Sequence, residues 1–328
     1  MRTRALIAAV ILASALLAGC GGDDDASDSQ PPPAAKPEDF PRAEGKTLAQ
    51  LRGELSGGGP VLAPSVSQLT TGKNRFGFGL FDRSRAQIAD ASVAVYVAPA
   101  GGGEASGPYP ARYESLDVQP EYQSRQTSTD PNAAKSVYVA DIPFAKPGSY
   151  DVLGIARLGN RLVAATPASP PVTVVKASQD AIPGRGDKAP RIHTATEADV
   201  GGDLASIDTR IPPSSMHQND FADVVGKKPI VLLFATPALC QSRVCGPVVD
   251  IAEEVKAGMD GDDVEFIHQE VFRDNQIDKG LRPQLAAYRL QTEPWVFTIN
   301  HKGKVADRIE GAYSAGELEA AIEKAQGS

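Results

Sequence analysis

Cysteine is scarce in this chain of 328 residues, occurring only as Cys20, Cys240 and Cys245. With Cys20 assigned to a leader, Cys240 and Cys245 have no partner but each other. Basic residues are outnumbered by acidic ones, 33 against 41, for a formal net charge of −8. No Lys/Arg cluster interrupts that balance, which argues against nucleic acid as a partner and against a polybasic membrane patch. No stretch after Cys20 approaches the roughly 20 apolar residues that a spanning helix needs. Histidine is limited to His193, His217, His268 and His301, none at a metal-ligand spacing. A copper centre would need two cysteines and one of these, His217 beside Met216 being the first to inspect, but no metal and no other cofactor is expected.

What is present begins with a leader. Arg2 and Arg4 precede an apolar run from Ala5 to Leu17, closed by Leu17-Ala18-Gly19-Cys20. A basic start, a short apolar core and small residues at the end mark a secretory signal, too short to span. The Leu-Ala-Gly-Cys end resembles a bacterial lipobox, which implies a signal peptide over 1–19 and lipidation at Cys20. The expected location is then extracytoplasmic, with the chain lipid-anchored to the bacterial cell membrane, in an oxidising compartment. Residues 20–58 start with Asp23-Asp24-Asp25 and continue rich in Ser, Gln, Pro and Ala. That composition predicts a disordered tether.

A β domain is expected over 60–176. Phe76 to Asp82, Ala91 to Val97, Ser136 to Ala140, Tyr150 to Ala156 and Val172 to Val175 are short β-branched or aromatic runs separated by turn residues. Their spacing suggests a sandwich. The Gly/Pro-rich insert over 101–135 shows no clear periodicity. The segment from Phe144 to Tyr150, Phe-x-x-Pro-Gly-x-Tyr, resembles immunoglobulin-like domains of bacterial surface proteins. This domain reads as a spacer or binding module without chemistry of its own.

A polar linker with Pro183-Gly184 leads through 177–190 into an α/β pattern over 191–328. Strands are expected at 229–235, 264–272, 295–299 and 305–309. Helices are expected after Cys245, around Leu285 to Tyr288, and from Ser314 to Ala325, where Ser314 and Glu317 read as a capping box. Gly186-Asp187-Lys188-Ala189-Pro190, the cysteine segment, Thr292-Glu293-Pro294-Trp295 and the Gly303 hairpin together resemble redoxin and peroxiredoxin domains. The fold class expected from these resemblances is multidomain: an N-terminal all-β immunoglobulin-like sandwich followed by an α/β thioredoxin-like domain. The resemblance implies a cis Pro294 facing the cysteines, with Cys240, Cys245 and Pro294 at the catalytic site, and Glu293 joins this set by its place just before Pro294.

The cysteine segment runs Thr236-Pro237-Ala238-Leu239-Cys240-Gln241-Ser242-Arg243-Val244-Cys245-Gly246-Pro247. Aligned on Cys245-Gly246-Pro247-Val248, it resembles a thioredoxin motif lacking its second cysteine, with Cys245 as nucleophile and Cys240 resolving. Aligned on Thr236-Pro237 and Cys240, it resembles Q-type peroxiredoxins, with Cys240 peroxidatic and Cys245 resolving. Each register misses a part. Arg289 is a loose candidate for the peroxidase arginine, and Val231, Leu232 and Leu233 stand where thioredoxins keep a buried carboxylate. Glu293 is an unusual side chain to aim at the sulfurs and a candidate proton acceptor.

Geometry narrows the pairing. Residues five apart in an α-helix have Cα atoms roughly 8–9 Å apart, beyond the limit of about 7 Å for a disulfide. A bond therefore needs Cys240 off the helix, and Pro247 places the helix start near 245–247. The expected activity is thiol–disulfide exchange with protein thiols or a reducing partner. A thiol peroxidase and a non-catalytic scaffold with a structural disulfide are the alternatives.

Overall fold

The structure is a computed structural model that describes residues 31–55, 57–167, 171–259, 261 and 263–328. The signal segment and Cys20 lie outside the described residues. Residues 31–328 form one compact unit, and no helix among the described residues is long and apolar enough to cross a membrane.

The larger sheet contains β1 (Val61–Pro64), β2 (Leu69–Thr70), β3 (Gly72–Phe81), β4 (Ser92–Pro99), β5 (Ser106–Ser115), β6 (Ser136–Phe144), β7 (Gly148–Leu158), β8 (Arg161–Pro167) and β9 (Val172–Val175). Seven of these close a ring in the order β7-β4-β5-β6-β3-β1-β8, and β8 pairs back onto β7. β9 and β2 extend from the ring beside the start of β7. The expected two-sheet immunoglobulin-like sandwich is therefore corrected to a closed β-barrel with two added strands. Partner changes within single strands close the ring. β5 pairs with β4 through its first half and with β6 through residues 111–115. β8 pairs with β7 through residues 161–165 and with β1 through Thr166 and Pro167. The sequence of β5 hid it, because Pro108 and Pro110 each remove a ladder donor and argue against a strand. The Gly107–Pro108 bond is cis.

The stretch expected as tether is not all unpacked. α1 (Leu48–Gly53) starts at a capping box between Thr47 and Gln50. Phe40, Ala43 and Leu51 are buried against Tyr96, Leu153 and Ile155 of the barrel. Tyr96 donates its hydroxyl hydrogen to the Pro41 carbonyl at 2.6 Å.

The second sheet has four short strands in the order β11-β10-β12-β13: β10 (Ile230–Phe234), β11 (Glu265–Gln269), β12 (Trp295–Ile299) and β13 (Val305–Glu310). β10 and β11 are parallel, while the other two pairings are antiparallel. α4 (Cys245–Gly258) and α6 (Ala315–Gln326) share a core with Val231, Leu233 and Val296 on one face. The opposite face is covered by Ile182, Ile192, Phe221, Leu285 and Tyr288. These belong to irregular chain, to the four-residue α3 (Phe221–Val224) and five-residue α5 (Pro283–Ala287), or flank them.

The expectation of a thioredoxin-like α/β domain is overturned here. The molecule is mostly β, built on the closed barrel, and its second sheet lacks an α layer on one side. The individual strands and helices fall close to where periodicity placed them. The segments between them, notably 176–229, do not supply the helices that such layering requires.

Barrel and small sheet share one interior. Along β6, Tyr138, Ala140 and Ile142 point into the barrel core, while Val137 and Val139 pack with Cys245, Val248 and Val249 of α4. Arg75 of β3 makes a two-pronged bond to Glu317 of α6, at 2.8 and 2.7 Å, and also donates to the Ala312 carbonyl. Ser314 caps α6 by accepting the Glu317 N–H at 3.2 Å. The Glu317 side chain goes to Arg75, so the expected capping box is only half formed. Gly311 has φ +78°, and a Cβ there would lie 2.2 Å from the Ser65 carbonyl oxygen. Only glycine fits this approach between β13 and the barrel.

A deeply buried arginine–carboxylate pair also crosses this junction. Arg210 Nε donates to Asp250 Oδ1 of α4 at 2.8 Å, and its other nitrogens donate to the Pro212 and Tyr122 carbonyls. Asp250 has none of its surface exposed, and its second oxygen accepts the backbone N–H and hydroxyl of Ser124, the N-cap of α2 (Arg125–Thr129). Arg210→Met, which strands that carboxylate, is expected to lower the unfolding free energy by about 3–5 kcal/mol in chemical denaturation. Adding Asp250→Asn should restore part of the loss, since the stranded charge is then gone.

Candidate functional site

β10 ends at Phe234, and the chain turns through 235–244 before α4 begins at Cys245. Arg243 lies in the turn with φ 59°. Cys240 therefore sits off the helix, as a bond to Cys245 demands. Both cysteines are free thiols, Cys240 partly exposed and Cys245 buried. The Glu293–Pro294 bond is cis. Donor atoms of Cys240, Cys245 and Glu293 all lie within 4.8 Å of one another. The four residues singled out by sequence thus fall in one place.

The two thiols are electrostatically unlike. Cys240 is lowered from the ordinary thiol range to about 6, first by a hydrogen bond from the Cys245 thiol. Burial opposes this, while the Ser242 hydroxyl and the backbone N–H groups of Val244 and Cys245 reinforce it. The Ser242 hydroxyl is 3.2 Å from the Cys240 sulfur. These N–H groups are the unsatisfied donors at the start of a fourteen-residue helix, where a thiolate is favoured. Cys245 is pushed well above the thiol range, first by burial and then by its neighbours Cys240 and Glu293. Buried in the α4 core, it holds its proton and lends it to Cys240.

Glu293 supplies a third titrating group. Burial, the charge of Cys240 and the charge of Glu270 raise it to about 8, and its Oε2 is buried with no hydrogen-bond partner. A carboxyl in that range is matched to proton exchange with a thiol.

A groove of about 930 Å³ opens beside these groups. Gln241, Ser242, Arg243 and Val244 form one wall, and Glu293 and Pro294 belong to its lining. The barrel contributes the other wall through β1, Gly79, Phe81 and the exposed turn with Arg83 and Arg85. The β domain, expected to be a spacer or binding module without chemistry of its own, contributes part of this surface. Trp295 is 2% exposed, stacks on Phe297 and donates to Thr292 Oγ1 at 3.0 Å, so it is a core aromatic.

Several supporting residues had no sequence signal. Thr209 Oγ1 accepts the Ala238 N–H at 3.1 Å, just ahead of Cys240. Glu270 Oε1 in turn accepts from the Thr209 hydroxyl and N–H, at 2.6 and 2.7 Å. Ser242 lies inside the motif and was open to notice, whereas Thr209 and Glu270 are brought in from distant irregular chain. Arg289, the loose peroxidase candidate, is exposed on the turn after α5 and is not among the groups that lower Cys240.

The histidines are placed elsewhere. His193 is exposed and pairs with Asp220 at 2.7 Å, and His301 is exposed in the β12–β13 turn. His217 and His268 are buried with Asp208. No family model and no curated protein matches this chain.

Alkylation of the reduced protein should discriminate between the thiols. Because the thiolate is the reactive form, the rate at Cys240 is expected to rise with pH through a midpoint near 6 and then level off. Cys245 should stay unmodified at pH 7 in the folded chain. Peptide mapping after a timed pulse reads both rates.

Proposed function

We propose that this protein exchanges disulfides with protein thiols through Cys240 and Cys245, Cys240 attacking and Cys245 resolving. The observation that carries the reading is the asymmetry of the pair. A partly exposed sulfur with its pKa near 6 lies against a helix start, within reach of a buried thiol held well above the ordinary range. A purely structural staple needs no such division.

The exchange runs in two steps. The Cys240 thiolate attacks one sulfur of a substrate disulfide, forming a mixed disulfide while the substrate's other sulfur leaves as a thiolate. Loss of the Cys240 charge in the mixed disulfide removes one of the causes that hold Glu293 protonated, so the ionised Glu293 carboxylate takes the Cys245 proton and the Cys245 sulfur attacks Cys240. The Cys240–Cys245 disulfide forms and the bound substrate sulfur leaves as a thiolate. The substrate gains two electrons and the protein loses two. A dithiol of a reducing partner restores the pair by the reverse path.

The groove, lined by the four residues after Cys240 and by Glu293 and Pro294 though not by Cys240 itself, is much larger than a peroxide or a small thiol requires, which supports a polypeptide substrate. The groups that lower Cys240 are a thiol, a hydroxyl and backbone N–H groups. None is a guanidinium, which weighs against the peroxidase alternative. A lipid anchor on Cys20 at the outer side of a bacterial membrane remains part of this proposal and rests on the leader sequence alone.

Cys245→Ser is expected to accumulate a mixed disulfide between Cys240 and an oxidised polypeptide, seen on non-reducing gels. Cys240→Ser should form none and lose at least 100-fold in disulfide-reduction rate. Faster turnover with hydrogen peroxide than with any polypeptide disulfide would replace this reading by the peroxidase one. Separately, Glu293→Gln should slow release from the mixed disulfide by about 100-fold or more while leaving Cys240 alkylation at pH 7 unchanged.

A further inference from the structure

The irregular segment after the 3-10 turn at Leu204–Ser206 carries Asp208, Ser214 and His217, and it folds over His268 of β11. Asp208, His217 and His268 are each 2% exposed or less. Three ligand-type atoms converge there. His217 Nε2 lies 3.0 Å from Asp208 Oδ2, and His268 Nδ1 lies 3.3 Å from the same oxygen. The Ser214 hydroxyl oxygen is a fourth, 3.3 Å from His268 Nδ1. Two nitrogen or oxygen ligands on a tetrahedral zinc ion, each at about 2.0–2.1 Å, sit about 3.3 Å apart. The two separations from Asp208 Oδ2 are close to that span, and all three atoms lie within 4.8 Å of one another.

The surroundings match a metal ligand set in a second respect. The far nitrogen of His268, Nε2, is 3.0 Å from the Ala235 carbonyl oxygen. A ligating histidine commonly donates its other N–H to a backbone carbonyl in this way, which fixes the tautomer that leaves the near nitrogen free to bind. Asp208 is oriented by the Arg210 N–H on Oδ1 at 2.8 Å and by the Ser214 N–H at 2.7 Å on Oδ2, the oxygen that faces the two imidazoles. Two imidazoles aimed at one carboxylate oxygen in a closed interior form a donor set of charge −1 when both rings are neutral. A divalent cation complements that set.

We propose that Asp208, His217 and His268 bind a divalent transition-metal cation, zinc being the ion whose preference for imidazole and carboxylate they meet. The ion has a structural role, because the site is closed to solvent. It pins the 208–217 segment to β11, and this segment is the one that holds Ala238 through Thr209 and α4 through Arg210. The proposal does not depend on cysteine chemistry.

The test uses the Cys240→Ser/Cys245→Ser protein, which removes the thiol donors. After chelator treatment, titration with zinc should show one bound equivalent and a rise in melting temperature. Cobalt should give ligand-field absorption without a thiolate charge-transfer band. His217→Gln keeps an amide N–H for Asp208 but is a poor ligand, so a role confined to hydrogen bonding would survive it. It should weaken zinc binding by more than the roughly 10–100-fold typical of losing an outer-sphere partner, with the folded circular dichroism spectrum retained. Failure of the cysteine-free protein to bind zinc overturns the proposal. So does unchanged affinity in His217→Gln.

Discussion

Asp250 sits on α4 with its carboxylate wholly inside the protein, held by Arg210 on one oxygen and Ser124 on the other. Burial raises its pKa, against the pull of Ser124, Thr127 and Arg210. A charge in such a place is tolerated only with its partners present. Those partners come from two distant stretches, the insert between β5 and β6 and the irregular segment after 207. The helix that carries Cys245 is thereby fixed to both, and the cysteine turn inherits its position from them.

The same junction explains why the barrel matters to the site. β6 is apolar on both faces because it serves two interiors, its own barrel and the core of α4. Cys245 is kept at a high pKa by the second of these interiors, and Val137 and Val139 are part of what excludes water from it. Cys240, five residues earlier in the chain, lies partly exposed at the edge of that interior and meets the helix N–H groups. Two identical side chains in one turn are thus given opposite acidities by packing.

Much of the local structure could be read from the chain. The apolar runs at 230–234 and 295–299 became strands, the Ser314 cap opened α6, and Pro247 placed the start of α4. The closed barrel was not legible, because ring closure depends on β5 and β8 changing partners midway, and no periodicity records a change of partner. The thioredoxin-like expectation failed for a related reason. Short motifs specify turns and single elements, whereas the layers of a fold depend on what the intervening segments become, and here those segments are irregular.

The sequence by itself determined that one pair of cysteines stands between a strand and a helix and that they can bond only if Cys240 lies off that helix. Covalent spacing and helix geometry impose those results whatever the rest of the chain does. Only the tertiary structure decided which sulfur is acidic, which wall the barrel supplies, and that Asp208, His217 and His268 meet. Acidity depends on burial and on hydrogen bonds from groups far apart in the chain, and those exist only once the barrel, α4 and the 208–217 segment have packed together.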